Sequence, residues 1–305
     1  MYDNDSKGIS YTAGFFLLIA FAIIALSFAG NINAWVWSAM TGKGYDQFLS
    51  GMTDPANARA YQVVQCLNAI IGFVVPTFIV LFLVNKRPLC LIGLTTPVSG
   101  KQILLILLIM LAALYVGGAL SYFNNKIPLP ASWKASFDKM EMQYDQQVEA
   151  ILSLKSPGDY IIVLLIMGFL PAMAEEILFR GGIQNLLARS IGKPWVAIII
   201  ASIIFSLAHF SWYGFFFRVA LGITLGCLYQ YSRSLWPGIL AHFLNNALII
   251  TVAYVYVKQG KTVTDVLDQK TSTYWGLLAL PFLIALFMVY KRVSDDRNNI
   301  HRHGI

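Results

Sequence analysis

Apolar residues run through this chain in long blocks near 11–29, 61–84, 102–123, 159–180, 194–211, 214–231, 235–257 and 273–290. Blocks of roughly 17–25 apolar residues are long enough to cross a hydrocarbon core as helices. They lack the two-residue alternation of a strand, and backbone groups in lipid must be satisfied within their own segment. The pattern therefore predicts an all-α fold, a polytopic membrane bundle of about eight transmembrane helices. One stretch has a different rhythm. In 136–154, Phe137, Met140, Tyr144, Val148 and Ile151 recur every three or four residues among Asp138, Lys139, Glu141, Asp145 and Glu149. That spacing predicts an amphipathic helix along the outer membrane surface, acting as a solvated cap or in admitting substrate.

Composition agrees with this reading: 57% of residues are apolar and 12% charged, far from the balance of a soluble domain. Charge sets the orientation. Lys86, Arg87, Lys101, Arg189, Lys193 and Arg233 lie in the short loops of one side, with Lys291, Arg292, Arg297 and Arg302 in the tail. An even number of spans then places both termini in the cytoplasm. The loops 30–60, 124–158 and 258–272 face outward, their Lys and Arg matched by Asp and Glu. The net charge of +7 follows from this topology and from attraction to membrane lipid, so no nucleic-acid partner is needed. Cys66, Cys90 and Cys227 have no metal-type spacing and form no disulfide framework. The first span follows a short polar start without a clear cleavage pattern and reads as a retained helix. Three parts result: N-terminal helices and the outer amphipathic helix over 1–150, a catalytic helical core over 151–257, and the last span with a basic tail over 258–305.

The candidate chemistry starts with Glu175-Glu176, adjacent acids inside an apolar span. A carboxylate at that depth costs several kcal/mol unless paired or facing a wet cavity, so it marks a functional site. Residues four apart share a helix face, so Glu176 can pair with Arg180, while Glu175 is turned about 100° away. Left without that partner, Glu175 is the better candidate for a general base. Around the turn Ile191-Gly192-Lys193-Pro194, Glu175 precedes Gly192 by as many residues as His209 follows it. Both then lie roughly 25 Å along the hairpin from its turn, at one depth. Phe205, one turn before His209, walls off the ring. In the next-but-one helix, His242 and Asn246 share a face and suit an oxyanion. His242 starts out shallower than Glu175, so a tilt or kink near Gly181-Gly182 has to close the gap.

A carboxylate and a histidine holding water, opposed by His and Asn donors, are the minimum equipment for peptide-bond hydrolysis. Glu175, His209 and His242 equally form a two-His, one-carboxylate set that could hold zinc with an open position, and the sequence leaves both mechanisms standing. His-Glu-x-x-His spacing, a serine elbow and a Gly-rich phosphate loop are all absent.

Glu175-Glu176-x-x-x-Arg180, Phe205-x-x-x-His209 and His242-x-x-x-Asn246, in this order on successive membrane helices, resemble the three motifs of the CAAX protease and bacteriocin-processing (CPBP, or Abi) intramembrane endopeptidases. The likeness covers about residues 158–250 and extends to Ala220–Tyr229 and Ser234–Pro237, where Gly222 and Gly226 permit close helix approach. The resemblance implies Glu175 as base aided by His209, His242 and Asn246 as the oxyanion hole, and Glu176 with Arg180 as the supporting pair. It also implies a peptide or membrane-protein substrate, lipidated ones included, and a bacterial cytoplasmic membrane as the setting. The family is widely labelled metalloprotease, although its best-understood members are described as acting through glutamate without an obligatory metal. A non-catalytic immunity or scaffold protein is the alternative, with a proton-coupled transporter behind it. Arg218 is expected to snorkel to water at the outer interface.

Overall fold

The computed structural model describes residues 5–152, 154–261 and 273–303. Helix α1 spans Tyr11–Thr41, α2 residues 55–84, α3 Gly100–Asn124, α4 Ala131–Ile151, α5 residues 157–191, α6 Pro194–Leu207, α7 Phe215–Ser232, α8 Trp236–Lys258 and α9 Leu280–His303. No strand occurs among the described residues. Six helical stretches are long and apolar enough to cross a membrane (α1, α2, α3, α5, α8 and the last). The chain is an integral membrane protein of the all-helical class. The side chain of Arg302 and most of the 258–272 loop lie outside the described residues.

Helix α1 runs twelve residues beyond its apolar block. The polar residues that seemed to end the block are accommodated inside the bundle: buried Asn33 donates to Asn68 Oδ1 at 2.5 Å across the α1–α2 contact. Helix α5 likewise continues to Ile191, and Gly192 ends it in a left-handed conformation (φ 67°) that a residue without Cβ adopts freely.

The two described chain ends gather at one end of the bundle. Lys7 N donates to Val84 O (2.9 Å), and Arg297 donates to Gln102 Oε1 (2.8 Å) and Ser232 O (2.9 Å). At the other end Lys43 pairs with Asp54 (3.1 Å) and Arg59 with Asp159.

The α6–α7 hairpin departs from the expected span 194–211. Helix α6 stops at Leu207, giving 14 residues and roughly 21 Å of rise against the ~30 Å of a hydrocarbon core. Residues 208–214 form an irregular turn, and Phe210 takes a left-handed φ of 51°. Arg218 does not snorkel outward. It folds back under this turn and donates to Ser211 O, because that carbonyl has no helical partner. The amphipathic helix α4 lies over the same turn.

Close approach of α5, α6 and α7 rests on small residues. Arg180 and Gln184 of α5 donate to the carbonyls of Gly222 and Gly226 of α7, both at 3.1 Å. A Cβ at Gly226 would sit 2.8 Å from Gln184 Oε1 and 3.0 Å from Ile198 Cγ2. Gly226→Val is therefore expected to destabilise the bundle by about 1–3 kcal/mol through overpacking. Thermal unfolding in detergent checks this; an unchanged midpoint would contradict the close-approach role.

Candidate active site

Helix α5 is not a regular α-helix where it matters. It widens into π-helical turns at Leu164–Phe169 and again at Ile177–Gln184. Such turns are uncommon and often accompany functional sites. The second begins directly after Glu176 and contains Gly181-Gly182, where the sequence required a change of direction. Between them, Leu170–Glu176 presents the two glutamates to α8.

Glu176 and Arg180 are fully buried, at 0% and 1% exposure, and bonded at 2.5 Å. Removing both ions from water costs several kcal/mol, which only good geometry offsets. Here Arg180 also donates to Gly222 O and lies over the Phe205 ring, 4.9 Å from its centroid. Glu176 Oε1 accepts a second bond, from His242 Nδ1 at 3.1 Å. Gly238, one turn before His242, makes room for this contact, since a Cβ there would fall 2.6 Å from Glu176 Oε2.

His242 is thereby aimed. A carboxylate can only accept, so Nδ1 carries the proton and Nε2 points onward, carrying a second proton only in the imidazolium form. Nε2 is 3.8 Å from Glu175 Oε2. That oxygen is buried and makes no hydrogen bond within the protein, although the Glu175 side chain is 16% exposed. The two glutamates thus differ in their partners: Glu176 is locked through Oε1 by Arg180 and His242, although its Oε2 is likewise buried without a bond, whereas Glu175 has no such lock and is partly exposed.

His209 lies just past the end of α6, in the irregular turn. Its Nδ1 bonds Phe205 O at 2.8 Å, leaving Nε2 as the outward atom. The Phe205 ring stands edge-on to both histidines, with centroids 4.8 Å from His209 and 5.7 Å from His242. One aromatic wall therefore spaces the two imidazoles. Asn246 lies one turn beyond His242, donating to Gly168 O at 3.2 Å and accepting from Asn245 Nδ2 at 3.2 Å. One of its two amide hydrogens is therefore committed to the α5 backbone.

The structure joins Glu175, Glu176, Arg180 and His242 directly, brings in His209 through Phe205, and holds Asn246 against α5 alongside them. Among the described residues no three His, Cys, Asp or Glu side chains are grouped to hold a metal ion. No step below is routed through a metal. Sequence reasoning passed over Gly238, Asn245 and the Gly168 carbonyl. Gly238 alone left a legible signal, as a small residue one turn before His242.

Residues 157–248 match the family model described as type II CAAX prenyl endopeptidase Rce1-like. The uncharacterized protein YpbD of Bacillus subtilis (strain 168) is 28% identical over 116 residues, covering 36% of this chain and 54% of that protein. The chain thus spans about half the length of this relative. No solved structure matches. The resemblance carried by the three motifs holds over the segment that contains them all.

Arg180→Ala would strand a buried carboxylate and is expected to cost about 3–5 kcal/mol of stability. Adding Glu176→Gln removes the stranded charge and should recover part of the loss. Denaturation of both variants in detergent checks the order; a double variant less stable than Arg180→Ala would contradict the pairing.

Proposed function

We propose that this chain, similar over residues 157–248 to type II CAAX prenyl endopeptidases, is an intramembrane endopeptidase that hydrolyses a peptide bond with water activated by Glu175. The observation that carries the reading is the buried, uncommitted Glu175 Oε2 beside His242 Nε2, backed by the closed Glu176–Arg180 pair.

In the reaction, Glu175 takes a proton from water held between it and His209 Nε2. The resulting hydroxide forms a C–O bond to the scissile carbonyl carbon, and the carbonyl electrons move to oxygen. His242 as imidazolium and the free amide hydrogen of Asn246 stabilise that oxyanion, a contribution made in the transition state. Collapse of the tetrahedral intermediate breaks the C–N bond, and the proton on Glu175 passes to the departing amine. Glu176 and Arg180 fix the His242 ring and do not exchange protons with substrate. The fitting substrate is a peptide segment of a membrane-associated protein, prenylated proteins among them, entering from the membrane or its surface. The basic residues at the end where the termini gather support a cytoplasmic location for both ends, and the likeness to a Bacillus protein supports a bacterial cell membrane as the setting.

Cleavage of a quenched peptide library by the purified protein in detergent tests the reading. Glu175→Gln and His209→Ala should abolish turnover in folded protein. Asn246→Ala should lower kcat by about 10²–10³ with little change in KM. Chelation should leave the rate unchanged; loss of activity restored by added zinc would overturn the metal-free step. Wild-type turnover by Glu175→Gln would overturn the whole assignment.

A further inference from the structure

The turn that carries His209 is irregular backbone beyond the end of α6, whose rise of roughly 21 Å falls about 9 Å short of a hydrocarbon core. Non-helical backbone at such depth is tolerated only where protein covers it or where it lines a wet cavity. Two carbonyls of the turn, and two backbone groups of the first residues of α7 after it, have side-chain partners. Asn124 donates to Trp212 O (3.0 Å) and accepts from Phe216 N (3.3 Å), Ser206 Oγ donates to Phe215 O (2.8 Å), and Arg218 donates to Ser211 O.

Its outer side is covered by α4. Three consecutive turn residues are held there in three ways. Ser211 Oγ donates to Glu141 Oε2 at 2.7 Å, Trp212 stacks on Phe137 with centroids 5.5 Å apart and planes 10° off parallel, and the Tyr213 hydroxyl donates to Asp138. These α4 residues sit at 137, 138 and 141, one helical turn. The other end of α4 is anchored separately, Gln62 Nε2 donating to Ile151 O at 2.9 Å. A surface helix that merely floated on lipid would need no such register with one turn.

We propose that Glu141 is a positioning residue for the reaction: through Ser211 it holds the 208–214 turn so that His209 Nε2 stays aimed at Glu175, and α4 works as a latch over the site. The inference rests on the peptidase reading for its catalytic half. Ser211 is buried while Glu141 is half-buried, so the bond is shielded enough to matter and lies near enough to the surface to open. Only Phe210 separates Ser211 from His209, and it is held in the left-handed region, so release at Ser211 is transmitted to the imidazole instead of being absorbed.

Hydrogen exchange and peptide turnover on the full chain in detergent test this together. Glu141→Ala should raise amide exchange in 208–216 by tenfold or more while α5 and α8 stay protected, and should lower kcat at least tenfold with KM within twofold. Glu141→Gln keeps an oxygen acceptor and should restore most of both. Ser211→Ala should match Glu141→Ala, and the double variant should be no worse than either single one. Unchanged exchange in 208–216 for Glu141→Ala overturns the latch whatever the activity. Additive losses in the double variant, or a Glu141→Gln as defective as Glu141→Ala, overturn the positioning role. If the wild type shows no cleavage while exchange still responds, the peptidase reading fails and the catalytic half of this inference fails with it.

Discussion

Everything near the centre of this bundle is arranged around the cost of placing two adjacent carboxylates inside a membrane protein. Each would be worth several kcal/mol of destabilisation if left bare. Glu176 is relieved by Arg180 at 2.5 Å and His242 at 3.1 Å, and Arg180 in turn by the Gly222 carbonyl and the Phe205 face. That chain of compensation joins α5, α6, α7 and α8, and it explains why Gly238 stands where a Cβ would collide with Glu176. Breaking it removes more than one bond, because every partner is itself buried.

The same closure leaves Glu175 outside the ion pair, where the proposed reaction uses it. With Glu176 holding Nδ1 of His242, and Phe205 O holding Nδ1 of His209, both imidazoles turn their Nε2 atoms away from their anchors. A rigid ion pair held through Glu176 Oε1 thus stands behind Glu175, and in the proposed reaction rigidity behind the reacting group lowers what has to be reorganised. The π-helical turns on either side of Leu170–Glu176 let one helix serve both tasks, since they alter which side chains share a face.

Much of this was legible in the sequence. The apolar blocks located the helices to within a few residues at most ends, and the i, i+4 rule anticipated the Glu176–Arg180 pair. Residue counting about Gly192 assumed regular helices on both sides, whereas α6 ends at Leu207 and His209 lies in the turn beyond it. Other features were hidden for physical reasons. The extent of α1 depended on an Asn33–Asn68 bond between distant residues, and no local pattern encodes such a partner. The early end of α6 was masked because Ala208 and Phe210 continue its apolar run, and the fold-back of Arg218 depends on a carbonyl left bare by that ending. The His242–Glu176 contact joins residues 66 positions apart through a glycine gap that only the packed helices reveal.

The central claim is that Glu175 delivers water to a peptide carbonyl, and product analysis in H₂¹⁸O tests it most directly. A single-turnover cleavage should leave one ¹⁸O atom in the new C-terminal carboxyl of the product, in the wild type and not in Glu175→Gln, which should yield no product. A labelled product formed at equal rate by Glu175→Gln, or an unlabelled product from the wild type, would contradict the account.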